Sequence, residues 1–179
     1  MKKSEVALVM GSDSDWPALK DAVDTLQGFG VGCEVRVISA HRTPDLAAAF
    51  AREAVGRGVK VLIAAAGGAA HLAGVLAAHT TLPVIGIPIK SGSLNGMDSL
   101  LATLQMPAGI PVATVTLGGA GPVNAAVLAV QILALGDAAL RRKLSAYKEG
   151  LRKRVAKGNA KVQAELQSGG AGKPGGGGS

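Results

Sequence analysis

The 179-residue chain has a single cysteine, Cys33, and only 2% aromatic residues. A lone cysteine forbids an intrachain disulfide, which excludes a small secreted scaffold held by disulfides. With so few rings, a core has to be built from Ala, Val, Leu and Ile. Charged residues are also scarce, at 17% against 48% hydrophobic, so disorder over the whole length is excluded. The length suits one domain and is too short for two α/β domains. A chain of this size buries roughly 70% of its unfolded surface, enough for a core without metal or disulfides. Long membrane-type segments are lacking too. Met1-Lys2-Lys3 precedes only a five-residue apolar run, Val6–Met10, which is shorter than a signal-peptide core. Residues 61–78 have the length of a membrane span, but His71 lies near their middle among Gly and Ala, which reads as strand, tight turn and buried helix. The expectation is a cytoplasmic protein with no membrane partner.

The net charge of +7 suggests nucleic acid until it is located. Residues 1–140 carry nine Lys and Arg against ten Asp and Glu, a net of −1. The excess lies at the end, where ten basic residues between Arg141 and Lys173 meet only Glu149 and Glu165. No aromatic platform or zinc-finger spacing accompanies them, so they read as a solvated helix face and no nucleic-acid partner is expected.

Apolar runs at residues 6–10, 35–38, 59–64, 84–87 and 112–117 are each followed by turn residues and a helical pattern. Nearly continuous apolar runs are what parallel strands covered on both faces require. The fold class is therefore α/β, a three-layer α/β/α sandwich with a parallel five-stranded sheet and a C-terminal helix. Trp16, Leu19, Val23 and Leu26 share one helix face, with Lys20, Asp21 and Asp24 turned to water. Thr43-Pro44-Asp45 reads as N-cap, first-turn proline and first-turn acid. An apolar helix follows Gly118-Gly119 through Leu135, and Asp137 caps a basic helix to about Ala156. The domain spans 1–167. Residues 168–179 are a Gly-rich tail of linker type.

In an open parallel sheet, ligands bind outside the carboxyl ends of the strands, where helix N-termini also point. That fixes the loops of interest as 11–15, 39–44, 66–71 and 90–96. Ser12, Ser14 and Asp15 either cap the following helix or, with Arg42 on a neighbouring loop, hold a phosphosugar: hydroxyls and free N–H groups for phosphate, a guanidinium fork, a carboxylate for the ribose diol. His41, at a strand end among small residues, suits a general acid or base, or is a loop histidine bonded to backbone. On residue type alone His71 reads as a satisfied core histidine and His79 as a helix C-cap group. Cys33, in a strand, reads as a packed thiol. No P-loop, dinucleotide fingerprint or nucleophile elbow is present, and no metal-ligand spacing either, so no metal site is expected.

The segments 10–16 (MGSDSDW), 39–45 (SAHRTPD), 66–72 (AGGAAHL), 83–88 (PVIGIP) and 99–107, ending in Gln105-Met106-Pro107, resemble class I N5-carboxyaminoimidazole ribonucleotide mutases of bacterial purine biosynthesis, in that family's order. The resemblance covers about residues 5–150. It implies a flavodoxin-like fold, a homo-octamer, a small-molecule ribonucleotide substrate and no cofactor or metal. It also implies that Ser12, Asp15 and Arg42 bind the ribonucleotide, with Ser14 and Ser39 at the phosphate. His41 is then the acid/base, and the turn carrying Gly67, Ala70 and His71 lines the pocket. Ala73 stands where the family usually has proline, and Ala65 where glycine is common. The octamer also has a reading in the residues: the 120–135 helix is apolar around most of its circumference, more than one sheet contact would bury. Two alternatives stand beside the mutase: a class II carboxylase acting on aminoimidazole ribonucleotide with CO₂, and a non-catalytic octameric display scaffold.

Overall fold

The computed structural model describes residues 4–169. Five strands, β1 (Val6–Met10), β2 (Cys33–Val37), β3 (Val61–Gly67), β4 (Val84–Ile89) and β5 (Ala113–Thr114), form one parallel sheet in the order β2-β1-β3-β4-β5. Six α-helices accompany them: α1 (Trp16–Phe29), α2 (Pro44–Arg57), α3 (Leu72–Ala78), α4 (Met97–Leu104), α5 (Ala120–Ala134) and α6 (Ala138–Gly169). This is the flavodoxin-like order, whose strand sequence reverses between β1 and β3.

Alternation along the central strands divides the core. Val6, Leu8 and Met10 of β1 join Val61, Ile63 and Ala65 of β3 against α1 and α5. Ala7 and Val9 join Leu62 and Ala64 against α2 and α3. Both faces are dry, so the central strands show no polar residue. At Gly86 of β4 an added Cβ would lie 2.3 Å from the Thr103 methyl of α4 and 2.9 Å from Val112, so only glycine lets that helix settle on the sheet. The 61–78 stretch is a strand, a turn and a helix, and no described helix is long and apolar enough to cross a membrane.

Several boundaries differ from the sequence reading. β2 begins two residues early because Cys33 and Glu34 pair with Val6 and Ala7 at the sheet edge, where Glu34 and Arg36 interrupt the apolar run. Val59 is buried but is not strand: its N–H closes the end of α2 on the Ala54 carbonyl after left-handed Gly58. β5 is only two residues long. Pro111 has no N–H for the ladder, and Leu117 leaves the sheet to pack beside Gly96. α6 runs to Gly169, well past Ala156 and through the first two residues of the Gly-rich segment; residues 170–179, like Met1-Lys2-Lys3, lie outside the described residues. Asp137 does cap it, Oδ1 accepting from the N–H groups of Ala139 (2.7 Å) and Leu140 (3.1 Å). The circumference of α5 is covered within the protomer by the sheet, α1 and α6, leaving Ala120, Asn124 and Gln131 exposed on that helix. The apolar-helix argument for assembly therefore fails at α5. An exposed apolar stripe lies instead on α4, at Met97, Leu101 and Leu104.

Candidate active site

Four loops at the carboxyl ends of β1 to β4 surround a cavity of about 330 Å³, within the size range of small-ligand sites. Its walls are Gly11, Ser12, Ser14 and Asp15 from the first loop, Ser39 to Arg42 from the second, Ala66, Gly67, Ala69, His71 and Leu72 from the third, and Ser91 from the fourth.

After β1 the chain makes one turn of 3₁₀ helix, Asp13–Asp15, before α1. Ser12 caps it: its Oγ accepts from the Ser14 N–H (3.3 Å) and the Ser14 hydroxyl (2.8 Å). Asp15 stands at the N-cap position of α1 without bonding an N–H of that helix through its side chain. Burial holds its carboxyl above the usual range, opposed by a Ser12 backbone N–H and reinforced by Asp13. Of the expected capping residues, Ser12 caps the 3₁₀ turn and Asp15 makes no side-chain cap bond, and both line the cavity.

The loop after β2 is closed on itself. Thr43 donates its N–H (2.9 Å) and hydroxyl (2.8 Å) to the Ser39 carbonyl, and its Oγ1 accepts from the Ser39 N–H (3.2 Å). Thr43 occupies the N-cap position of α2, but its hydroxyl serves this turn and makes no cap bond. The Arg42 N–H donates to Ser39 Oγ (3.2 Å). His41 and Arg42 are held at the exposed tip, and among the described residues Arg42 forms no salt bridge, unlike Arg36, Arg57 and Lys60.

After β3, left-handed Gly68 (φ +60°) reverses the chain, and the Ala70 N–H bonds the Gly68 carbonyl (2.8 Å). The turn buries Ala70, which does not itself line the cavity, and turns His71 outward at the N-cap position of α3. The core-histidine reading of His71 is overturned. His71 is exposed, and its Nδ1 lies 2.8 Å from Nε2 of His41, the rings edge to face with centroids 4.9 Å apart. One nitrogen of this contact donates and the other accepts, so a single proton serves both rings there. Ala73 continues α3 without a break, and Ala65 is wholly buried against α1 and α5, so neither departure from the family pattern disturbs the turn.

Ser91, part of the 90–96 loop of interest but not among the expected site residues, enters from the β4 loop. A Cβ on Gly67 would meet its Oγ at 2.5 Å, so β3 ends in glycine because a hydroxyl occupies the place of a side chain. Ser99 of α4, fully buried, donates its hydroxyl to the carbonyls of Ile89 (2.8 Å) and Gly96 (2.9 Å), anchoring both ends of that loop. Elsewhere, His79 stands at the C-cap position of α3 with its ring 3.5 Å from an Arg52 nitrogen, so its side chain is not the capping group. Cys33 packs beside the core, and burial pushes its thiol up to about 11. Among the described residues no cluster of His, Cys, Asp and Glu is arranged for a metal.

The polar groups that converge here are one cation, one carboxylate, a histidine pair and several hydroxyls, a set suited to an anionic sugar and to proton transfer. The model of the AIR carboxylase family matches residues 5–154. An N5-carboxyaminoimidazole ribonucleotide mutase from Mycobacterium tuberculosis is 51% identical over 162 residues, covering 90% of this chain and 92% of that protein. One from Bacillus subtilis is 55% identical over 150 residues, covering 84% and 93%. The crystal structure of Treponema denticola PurE has a TM-score of 0.80 and 28% identity, over 88% of this chain and 97% of that one.

Proposed function

The chain belongs to the AIR carboxylase family, and we propose that it is an N5-carboxyaminoimidazole ribonucleotide mutase, an isomerase of purine biosynthesis that moves a carboxylate from the exocyclic nitrogen to a ring carbon. The single observation carrying this reading is the identity above 50% to relatives of that name along nearly the whole domain.

The chemistry follows from two requirements. A carbamate loses CO₂ readily once its nitrogen is protonated, and the ring carbon that then captures CO₂ must shed a proton to regain aromaticity. His41 is the group for both, giving a proton in the first half and taking one in the second. The His71 contact supports this role, because it fixes the position of the His41 ring until substrate takes its place. General acid–base catalysis supplies about 10²- to 10⁴-fold. The remainder comes from holding CO₂ beside the ring in a site from which water is excluded, and the 92–96 loop is the segment we assign to closing it. Arg42, with the hydroxyls of Ser12, Ser14 and Ser39, binds the phosphate, and Asp15 accepts from the ribose diol.

The second reading, direct carboxylation of aminoimidazole ribonucleotide, is favoured by the family's own description. The purified chain, supplied with the carbamate-bearing ribonucleotide in CO₂-depleted buffer, separates the two. Conversion to the carbon-carboxylated isomer supports the mutase. Turnover that starts from aminoimidazole ribonucleotide and requires bicarbonate supports the carboxylase, and no conversion in either case leaves the scaffold reading. A cytoplasmic homo-octamer completes the proposal. It is supported by the exposed Met97, Leu101 and Leu104 stripe, which a neighbouring protomer would cover. Light scattering should give about eight protomer masses, and a monomer at micromolar concentration would refute it.

A further inference from the structure

α6 outlasts the body it packs on. Leu140, Leu144 and Tyr147 lie against the core on one face of the helix, and helical spacing continues that face through Leu151, Val155, Val162 and Leu166. Every described residue from 152 to 168 is exposed, with Val155 at 74%, Val162 at 52% and Leu166 at 64%. Most of this stripe lies past residue 154, where the match to the family model ends.

The stripe has a symmetry that selects its occupant. Read in opposite directions from a centre between Gly158 and Asn159, the sequence sets Leu151 against Leu166 and Val155 against Val162. The same register sets Arg152 against Glu165, Lys153 against Ala164, Arg154 against Gln163, Lys157 against Ala160 and Lys161 against Ala156. No cation faces a cation, although the segment carries five of them. Glu165 and Glu149 already hold Lys161 and Arg152 on their own helix (3.8 and 3.3 Å), and the second Glu165 oxygen is left for Arg152 across the pair. At the centre Gly158 allows close approach, and an Asn in an apolar seam is a register-setting residue. We propose that residues 151–166 of α6 pair antiparallel with the same segment of a second copy of this chain, across a local twofold axis near Gly158. Such a contact is isologous, each residue meeting on the partner the residue that meets it. It is independent of the catalytic reading.

Single cysteines test the register in the full-length chain. A Cβ at Gly158 meets nothing within 4 Å in the protomer, and Leu166 is exposed, so neither Gly158→Cys nor Leu166→Cys disturbs the fold. The cross-linker is a bismaleimide spanning about 8 Å, the separation of packed helix axes. The parent chain, with Cys33 partly buried, is the control. Antiparallel pairing brings the two 158 positions together and separates the two 166 positions by about 22 Å along the axis, fifteen residues at 1.5 Å each. The expected result is a two-chain species on a denaturing gel for Gly158→Cys and none above the parent for Leu166→Cys. Cross-linking of both would mean a parallel pair, of Leu166→Cys alone another register, and of neither an arm that does not pair with itself. Any of these overturns the proposal.

Discussion

Gly67→Ala places a methyl where β3 ends, 2.5 Å from Ser91 Oγ and 3.1 Å from Ser91 Cβ. Neither separation is tolerable, so the β4 loop must move, and Ser91 cannot retreat freely because Ser99 anchors the loop through Ile89 and Gly96. Overpacking of this kind costs about 1 to 3 kcal/mol. At a cavity wall that cost is divided between stability and ligand binding, so KM for the ribonucleotide rises within a ceiling of roughly 5- to 150-fold. The companion change is Ser91→Gly, which deletes both clashing atoms and leaves the Ile89 carbonyl at 3.4 Å as the nearest neighbour of the new methyl. In the double variant the cost should fall by at least half, a favourable coupling of about 0.5 to 1.5 kcal/mol. The assays are KM and apparent Tm at one fixed protomer concentration, because assembly makes Tm concentration-dependent. Equal costs for Gly67→Ala alone and with Ser91→Gly would refute the packing argument.

Three further variants probe the site. His41→Asn should abolish turnover while ribonucleotide affinity stays within about tenfold, since the phosphate-binding loops remain; wild-type turnover would end its assignment as acid/base. Arg42→Lys should weaken binding by about 1.5 to 3 kcal/mol, because an ammonium cannot reproduce the guanidinium fork, and an unchanged Kd in titration calorimetry counts against a phosphate at this loop. Asp15→Asn should raise Tm at neutral pH while raising KM. Burial holds the Asp15 carboxyl above its usual range, so its ionised form costs stability above the folded pKa and that cost fades as pH falls through it. The Tm gap between Asn and Asp should therefore narrow on acidification, and a gap independent of pH contradicts the burial argument.

The sheet was legible because its central strands are buried on both faces, which writes each as an apolar run; the edges were less so. At β2, Glu34 and Arg36 break the run, and at β5 the register stops where Leu117 turns towards Gly96, a contact between segments about twenty residues apart. The cavity loops were legible because a parallel sheet puts its ligand at the strand ends, but the state of single residues within them was not. His71 sits in an apolar neighbourhood in sequence, and only the reversal at left-handed Gly68 carries it from the core side to the His41 ring. Ser91 lay in a loop of interest, but nothing singled it out there, since what marks it is the missing side chain of Gly67 on another strand. The length of α6 was misjudged because a helix with an exposed face on every side has no burial pattern to bound it.

The charges of the body are divided by use. Glu34 holds Arg36 (2.8 Å) and Arg57 (3.4 Å), and Glu5 holds Lys60 (2.6 Å), so these three cations, away from the cavity, are committed to structural partners. Arg42 is held by its backbone alone: its N–H is fixed to Ser39, and the turn that carries it is closed by Thr43, while the guanidinium forms no ion pair among the described residues. Asp15 is the complement, a partly desolvated carboxylate whose own helix needs no cap from it. Two opposite charges on adjacent loops that do not neutralise one another are of little use to folding, since an exposed ion pair would contribute no more than about 1 kcal/mol. Their separation matters for a ligand that brings an anion at one end and hydroxyl donors at the other, because such a ligand satisfies each without first breaking a salt bridge. A site built in this way gives up a small stabilisation in the empty protein and avoids that cost when the ribonucleotide binds.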